Sequence, residues 1–137
     1  MRNQTNSFTT IITLIIGLLA ISFSAVKSHP NTTVQTIICN AYTYAKIDPF
    51  GKSVAYVLAD TMNVTPSIKG YDYYTVSPYP TAIAYGHATC NVKLPRSQCA
   101  RCLVAARGTV SSSCANRIGG QVTMVDCSMR YENYEFA

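Results

Sequence analysis

Six cysteines, Cys39, Cys90, Cys99, Cys102, Cys114 and Cys127, constrain this chain more than any other feature. They form an even set, and all follow an N-terminal leader patterned as a secretory signal. In that leader Met1 to Thr10 is polar with one charge, Arg2, and the apolar run Ile11 to Ile21 follows. The small residues Ser22, Ser24 and Ala25 close it. The run is shorter than the roughly 20 residues a membrane-spanning helix needs. A cleavable signal is therefore expected over residues 1–28, cut between 24 and 28, with no membrane span in the mature chain. Residues 29–137 are expected to form one secreted, extracellular domain. An even cysteine count on that route predicts a disulfide framework, because the compartment is oxidising. Spacing alone does not choose among the many pairings six cysteines allow.

The leader also distorts the charge and apolar totals. The whole chain carries a formal net charge of +5; without Arg2 and Lys27 the remainder holds nine basic and six acidic residues, a net of +3. The basic residues are scattered, from Lys46 to Arg130, with no run that resembles a nucleic-acid footprint.

Periodicity then orders the elements. Val34 to Cys39 is short, apolar and β-branched, which fits a buried strand. Asp48-Pro49 offers a cap and a first-turn proline, and Phe50, Val54, Val57, Leu58 and Met62 follow on one helical face that ends before Pro66. Lys52, Ser53 and Asp60 lie away from that face. After a turn at Lys69-Gly70, Tyr71 to Val76 reads as a strand, and Ser77-Pro78-Tyr79-Pro80 breaks it. Ala82 to Cys90 reads as the next strand by its alternation. A helix from Pro95 places Cys99, Cys102, Leu103, Ala106 and Val110 on one stripe, weakened or bent at Gly108. Gly119-Gly120 reads as a turn, and Gln121 to Tyr134 as the most strand-like stretch. The expected class is α+β: an antiparallel sheet of about five strands with two helices packed on one side.

Cys99-Ala100-Arg101-Cys102 is a CxxC, which admits a redox dithiol, a metal knuckle with Cys90 and Cys127, or two structural half-bonds. The secretory context and the four further cysteines favour structural bonds. With eight residues between Cys90 and Cys99, and with Cys39-Asn40, Gly70-Tyr71-Asp72-Tyr73, Ala84-Tyr85-Gly86-His87-Ala88-Thr89-Cys90, Cys114-Ala115-Asn116-Arg117-Ile118-Gly119, Val125-Asp126-Cys127 and Arg130-Tyr131-Glu132 in order, the chain resembles the ginkbilobin-homologous domain of plants. That module occurs as seed antifungal proteins, in cysteine-rich secretory proteins and plasmodesmal proteins, and in receptor-like kinase ectodomains. The resemblance implies bonds Cys39–Cys114, Cys90–Cys99 and Cys102–Cys127.

It also implies a function. In ginkbilobin-like antifungal proteins an asparagine, an arginine and a glutamate form a mannose site, which carries over to Asn40, position 121 and Glu132. Position 121 holds Gln121, so a fixed fork of five donors is replaced by an amide with two N–H donors and one acceptor. The expected function is a secreted, mannose-binding (lectin) defence protein with antifungal activity, its partners mannose-type glycans or fungal cell-wall mannan. The alternative, which Gln121 favours, is an apoplastic interaction module binding other extracellular proteins without sugar. Residues 121 and 132 would lie on opposite faces of one unbroken strand, so a shared site requires the chain to turn or bulge between them, around Asp126.

No enzymatic function is expected, and no cofactor or metal. Paired cysteines leave no thiol nucleophile, His87 sits in a small-residue strand, and proximity in sequence does not make Asp126 and Glu132 a glycosidase pair. Tyr42, Tyr44, Tyr131 and Tyr134 flank the proposed site in sequence and offer faces on which a sugar can stack. Asn31-Thr32-Thr33 and Asn63-Val64-Thr65 are glycosylation sequons.

Overall fold

The computed structural model describes residues 29–136, so the expected signal over 1–28 lies outside the described residues. Its elements are β1 (Val34–Cys39), α1 (Phe50–Val64), a 3-10 turn (Thr65–Ser67), β2 (Asp72–Val76), β3 (Tyr85–Cys90), α2 (Arg96–Ser113), β4 (Gly119–Met124) and β5 (Cys127–Glu132). The strands form one sheet in the order β1-β4-β5-β3-β2. Every neighbouring pair is antiparallel. This is the α+β architecture expected, and all three disulfides are as the resemblance implied: Cys39–Cys114, Cys90–Cys99 and Cys102–Cys127.

Both helices cover one face of the sheet. Val57 and Leu58 of α1 and Cys99, Cys102, Leu103, Ala106 and Val110 of α2 meet Ala88, Val122, Met129 and Tyr131 from the strands, all within the buried core. The α2 stripe is fully buried, as its spacing predicts. Asp48 Oδ1 accepts the Phe50 N–H at 2.8 Å, which satisfies one free amide at the start of α1. The α1 register ends in the 3-10 turn that contains Pro66, whose missing N–H stops the helix.

Several local expectations fail for reasons of packing. β1 is not buried: Val34, Ile37 and Ile38 are exposed, because β1 is an edge strand with β4 on one side and solvent on the other. Ser53 is fully buried rather than turned outward. Asp60 points at the sheet and accepts from Tyr73 Oη at 2.9 Å and Thr75 Oγ1 at 2.6 Å. β3 starts only at Tyr85, since Ala82 takes a positive φ of 54° that no strand accepts. α2 runs unbroken past Gly108 to Ser113, because its buried stripe holds it on both sides of the glycine. Finally, Gly119 and Gly120 are not a turn but the first two residues of β4, and both are buried.

The turn falls instead between β4 and β5, at Val125-Asp126. Asp126 Oδ2 accepts the Asn31 N–H at 2.6 Å, and its Oδ1 accepts from Asn91 Nδ2 at 3.2 Å. The hairpin therefore resolves the parity problem. Gly119 pairs with Glu132 and Gln121 with Arg130, so residues 121 and 132 share one face.

Candidate functional site

The face of the sheet opposite the helices is open to solvent. Across it Ile38, Gln121, Arg130, His87 and Tyr74 stand in one row, one from each strand. At the β1 end of this face lies a cavity of about 320 Å³, at the small end of the roughly 300–1,000 Å³ typical of ligand pockets. Asn40, Gln121, Arg130 and Glu132 supply its polar groups, Gly119 and Gly120 its floor, and Tyr134 part of its wall. All three residues expected to form a site therefore line one cavity. Arg130 joins them.

Each polar group is placed by the local chain. The Asn40 N–H donates to Gly119 O at 2.9 Å, extending the β1–β4 ladder by one residue. Its Oδ1 accepts the Tyr42 N–H at 2.9 Å, an Asx turn that fixes the amide plane and leaves Nδ2 for another partner. Arg117 steadies the next carbonyl, donating from Nη1 to Ala41 O at 2.9 Å. Cys39, one residue before Asn40, is bonded to Cys114 at the end of α2.

Glu132 keeps only 9% of its surface accessible, and it is held by one ion pair: Arg130 Nε donates to Oε1 at 3.0 Å. Its carboxylate lies across Gly119, where a β-carbon on residue 119 would overlap Oε2. On the other face a β-carbon on residue 120 would press on Tyr131 and Cys114. The glycine pair is thus a close-approach device, which is the usual reason for glycine inside a strand. Arg130 Nη2 donates to Tyr134 Oη at 3.0 Å, and its guanidinium carbon sits 4.1 Å from the centre of the Phe136 ring.

Other candidates fall elsewhere. Asp126 precedes β5 and Glu132 ends it, roughly 20 Å apart at 3.3 Å per residue, far too distant for paired carboxylate chemistry. His87 stacks on Tyr74 with centroids 3.8 Å apart, and its Nε2 is 2.7 Å from Asp72 Oδ1. All six cysteines are bonded, which removes the redox-dithiol and metal-knuckle readings of Cys99 and Cys102. Of the four tyrosines near the site in sequence, only Tyr134 lines it. Tyr131 is in the core, Tyr44 packs edge-on against Phe50, and Tyr42 is exposed.

A larger cavity of about 500 Å³ lies between the end of α1 and the start of α2. It is mostly apolar, and its one charged group, Arg96, already donates to Ser67 Oγ at 2.6 Å. It therefore offers fewer convergent polar groups than the sheet-face cavity, although it is larger. The sequon residue Asn63 is exposed at its rim, and the other, Asn31, holds the Thr33 N–H on Oδ1 at 3.0 Å. No helix among the described residues is long and apolar enough to cross a membrane.

Fold and site together define a disulfide-wired α+β domain with a small polar cavity at the β1 end of its open sheet face. By the match of the salt stress response/antifungal family (Stress-antifung) to residues 38–134, the chain belongs to that family. The antifungal protein ginkbilobin-2 of Ginkgo biloba is 32% identical over 120 residues, 86% of this chain and 89% of that protein. An antifungal ginkbilobin-like protein of Picea abies is 33% identical over 109 residues, covering 78% and 99%. The fold matches the tandem DUF26 ectodomain of the Arabidopsis thaliana cysteine-rich receptor-like protein PDLP5, with a TM-score of 0.70 at 21% identity. This chain spans about half of that ectodomain, 51% of its length against 76% of its own.

Proposed function

We propose that this chain is a secreted carbohydrate-binding defence protein with antifungal activity, and that the sheet-face cavity takes mannose-type glycans such as those of fungal walls. The family description and the antifungal names of the relatives support the defence role. The observation that carries the sugar reading is the convergence of Asn40, Gln121 and Glu132 on one cavity of about 320 Å³. A neutral sugar hydroxyl both donates and accepts, so it pairs with an amide N–H and a carboxylate oxygen placed side by side. The leader pattern supports secretion.

The test is calorimetric titration of the mature protein with methyl mannoside and with mannan. Saturable binding that falls at least tenfold in Asn40→Ala and Glu132→Ala supports the proposal. A flat curve with folded wild-type protein contradicts it. The second reading is an extracellular protein-interaction module. Gln121 favours it, as does the aromatic patch of Tyr74, Tyr134 and Phe136 on the open face, the tyrosines 47% and 50% exposed. It predicts no sugar binding at all.

A further inference from the structure

We infer that Arg130 is the ligand-contacting guanidinium of this cavity, and that its pairing with Glu132 makes the site select neutral sugars over uronic acids. The inference rests on the carbohydrate reading of the site. In sequence Arg130 is one of several scattered cations; register is what gives it a place. It stands directly across the β4–β5 ladder from Gln121, and opposite residues of an antiparallel pair project side by side. A guanidinium rooted at 130 therefore fills the same space as one rooted at 121, without any change in the backbone.

Its orientation is fixed from three sides. Nε is used by Glu132, one N–H of Nη2 by Tyr134, and the plane rests on the Phe136 ring. A guanidinium carries five N–H donors, and Nη1 makes no hydrogen bond among the described residues. The side chain is 30% accessible, so those donors are open to a ligand. Glu132 likewise uses only Oε1 for the pair. Adjacent sugar hydroxyls can donate to the carboxylate and accept from Nη1 together, a bidentate match to a vicinal diol.

Charge gives the selectivity. Arg130 and Glu132 neutralise one another, so the cavity offers an anion no net attraction, and a uronate carboxylate would face the nearly buried Glu132. A neutral hexose meets no such repulsion.

The experiment uses the mature protein, titrated in parallel with methyl mannoside and with galacturonate. Arg130→Gln is expected to weaken mannoside binding about tenfold or more. The exchanged pair, Gln121→Arg with Arg130→Gln, is expected to return it to within a few-fold of wild type, which also shows that the loss is not misfolding. Gln121→Arg alone sets two guanidinium groups side by side and gains nothing. Glu132→Gln uncovers the guanidinium charge and shifts preference toward galacturonate. Wild-type binding that survives Arg130→Gln overturns this inference and leaves the sugar site standing. A flat wild-type titration overturns both.

Discussion

Glu132 can lie where it does because residue 119 has no side chain. A methyl there overlaps Oε2, so Gly119→Ala must push the carboxylate out of the cavity or part β4 from β5. The expected outcome is a loss of about 1–3 kcal/mol in stability by denaturant melting, the usual range for overpacking, with mannoside affinity down at least tenfold. A second residue-scale prediction concerns Tyr131. Its hydroxyl is shared between the carbonyls of Cys114 at 3.0 Å and Arg117 at 2.9 Å, tying the end of α2 to β5. Burial, reinforced by Tyr44 and Glu132 and opposed by Arg117, raises its pKa well above the ordinary 10.0. Tyr44 and Tyr73 are moved in the same direction, chiefly by burial. The unfolded chain loses these protons first as pH rises, so the stability they contribute is complete below about pH 10 and declines above it. Denaturant midpoints measured from pH 8 to 11.5 should fall only in the upper part of that range, and Tyr131→Phe should flatten the fall. At this scale the family resemblance made Asn40 and Glu132 legible, and both line the cavity. Arg130 was not legible, because its value lies in what stands across the ladder, and register is not written in a linear pattern.

Among the elements, the buried faces of the helices follow their patterns closely, while β1 does not. Its β-branched run suits a strand, yet composition cannot tell a covered central strand from an exposed edge. Two things hold β1: its ladder with β4 and the Cys39–Cys114 bond. Replacing both cysteines by serine is expected to destabilise the protein by about 2–5 kcal/mol. It should also raise amide exchange in residues 34–39 before it does so in β3 or β5, which hydrogen-exchange mass spectrometry would read; uniform exchange across the sheet would show that the bond does not guard β1. Asn40 follows β1, so sugar affinity should fall with it. α2 offers the opposite test. Gly108 is exposed, and a β-carbon built there meets nothing within 4 Å. Gly108→Ala should therefore stabilise the helix by about 0.5–1 kcal/mol in a thermal or denaturant melt. The glycine misled as a sequence signal because helix propensity is a weak term against a fully buried stripe on either side of it.

For the molecule as a whole, the disulfides do more than hold the core. One ties the end of β3 to the start of α2, one ties α2 to β5, and one ties the far end of α2 to β1. Closing loops of about 76, 26 and 10 residues, they would contribute roughly 4.5, 3.5 and 2.7 kcal/mol taken singly, by an entropy model that does not make them additive. All three converge on α2. That helix serves as the spine from which the open sheet face, with Asn40 at one edge and the β4–β5 hairpin beside it, is held at fixed spacing. The cysteine pattern made this wiring legible through family resemblance. The cavity became visible only when the hairpin folded Gln121 and Glu132 onto one face. The central claim, that this one cavity is the sugar site, is tested most directly by two-dimensional amide NMR of the isotopically labelled mature protein during a mannoside titration. Saturable shifts confined to residues 38–42, 119–121 and 130–136 are the expected result. Shifts gathered instead between the end of α1 and the start of α2, or none at all, would contradict it.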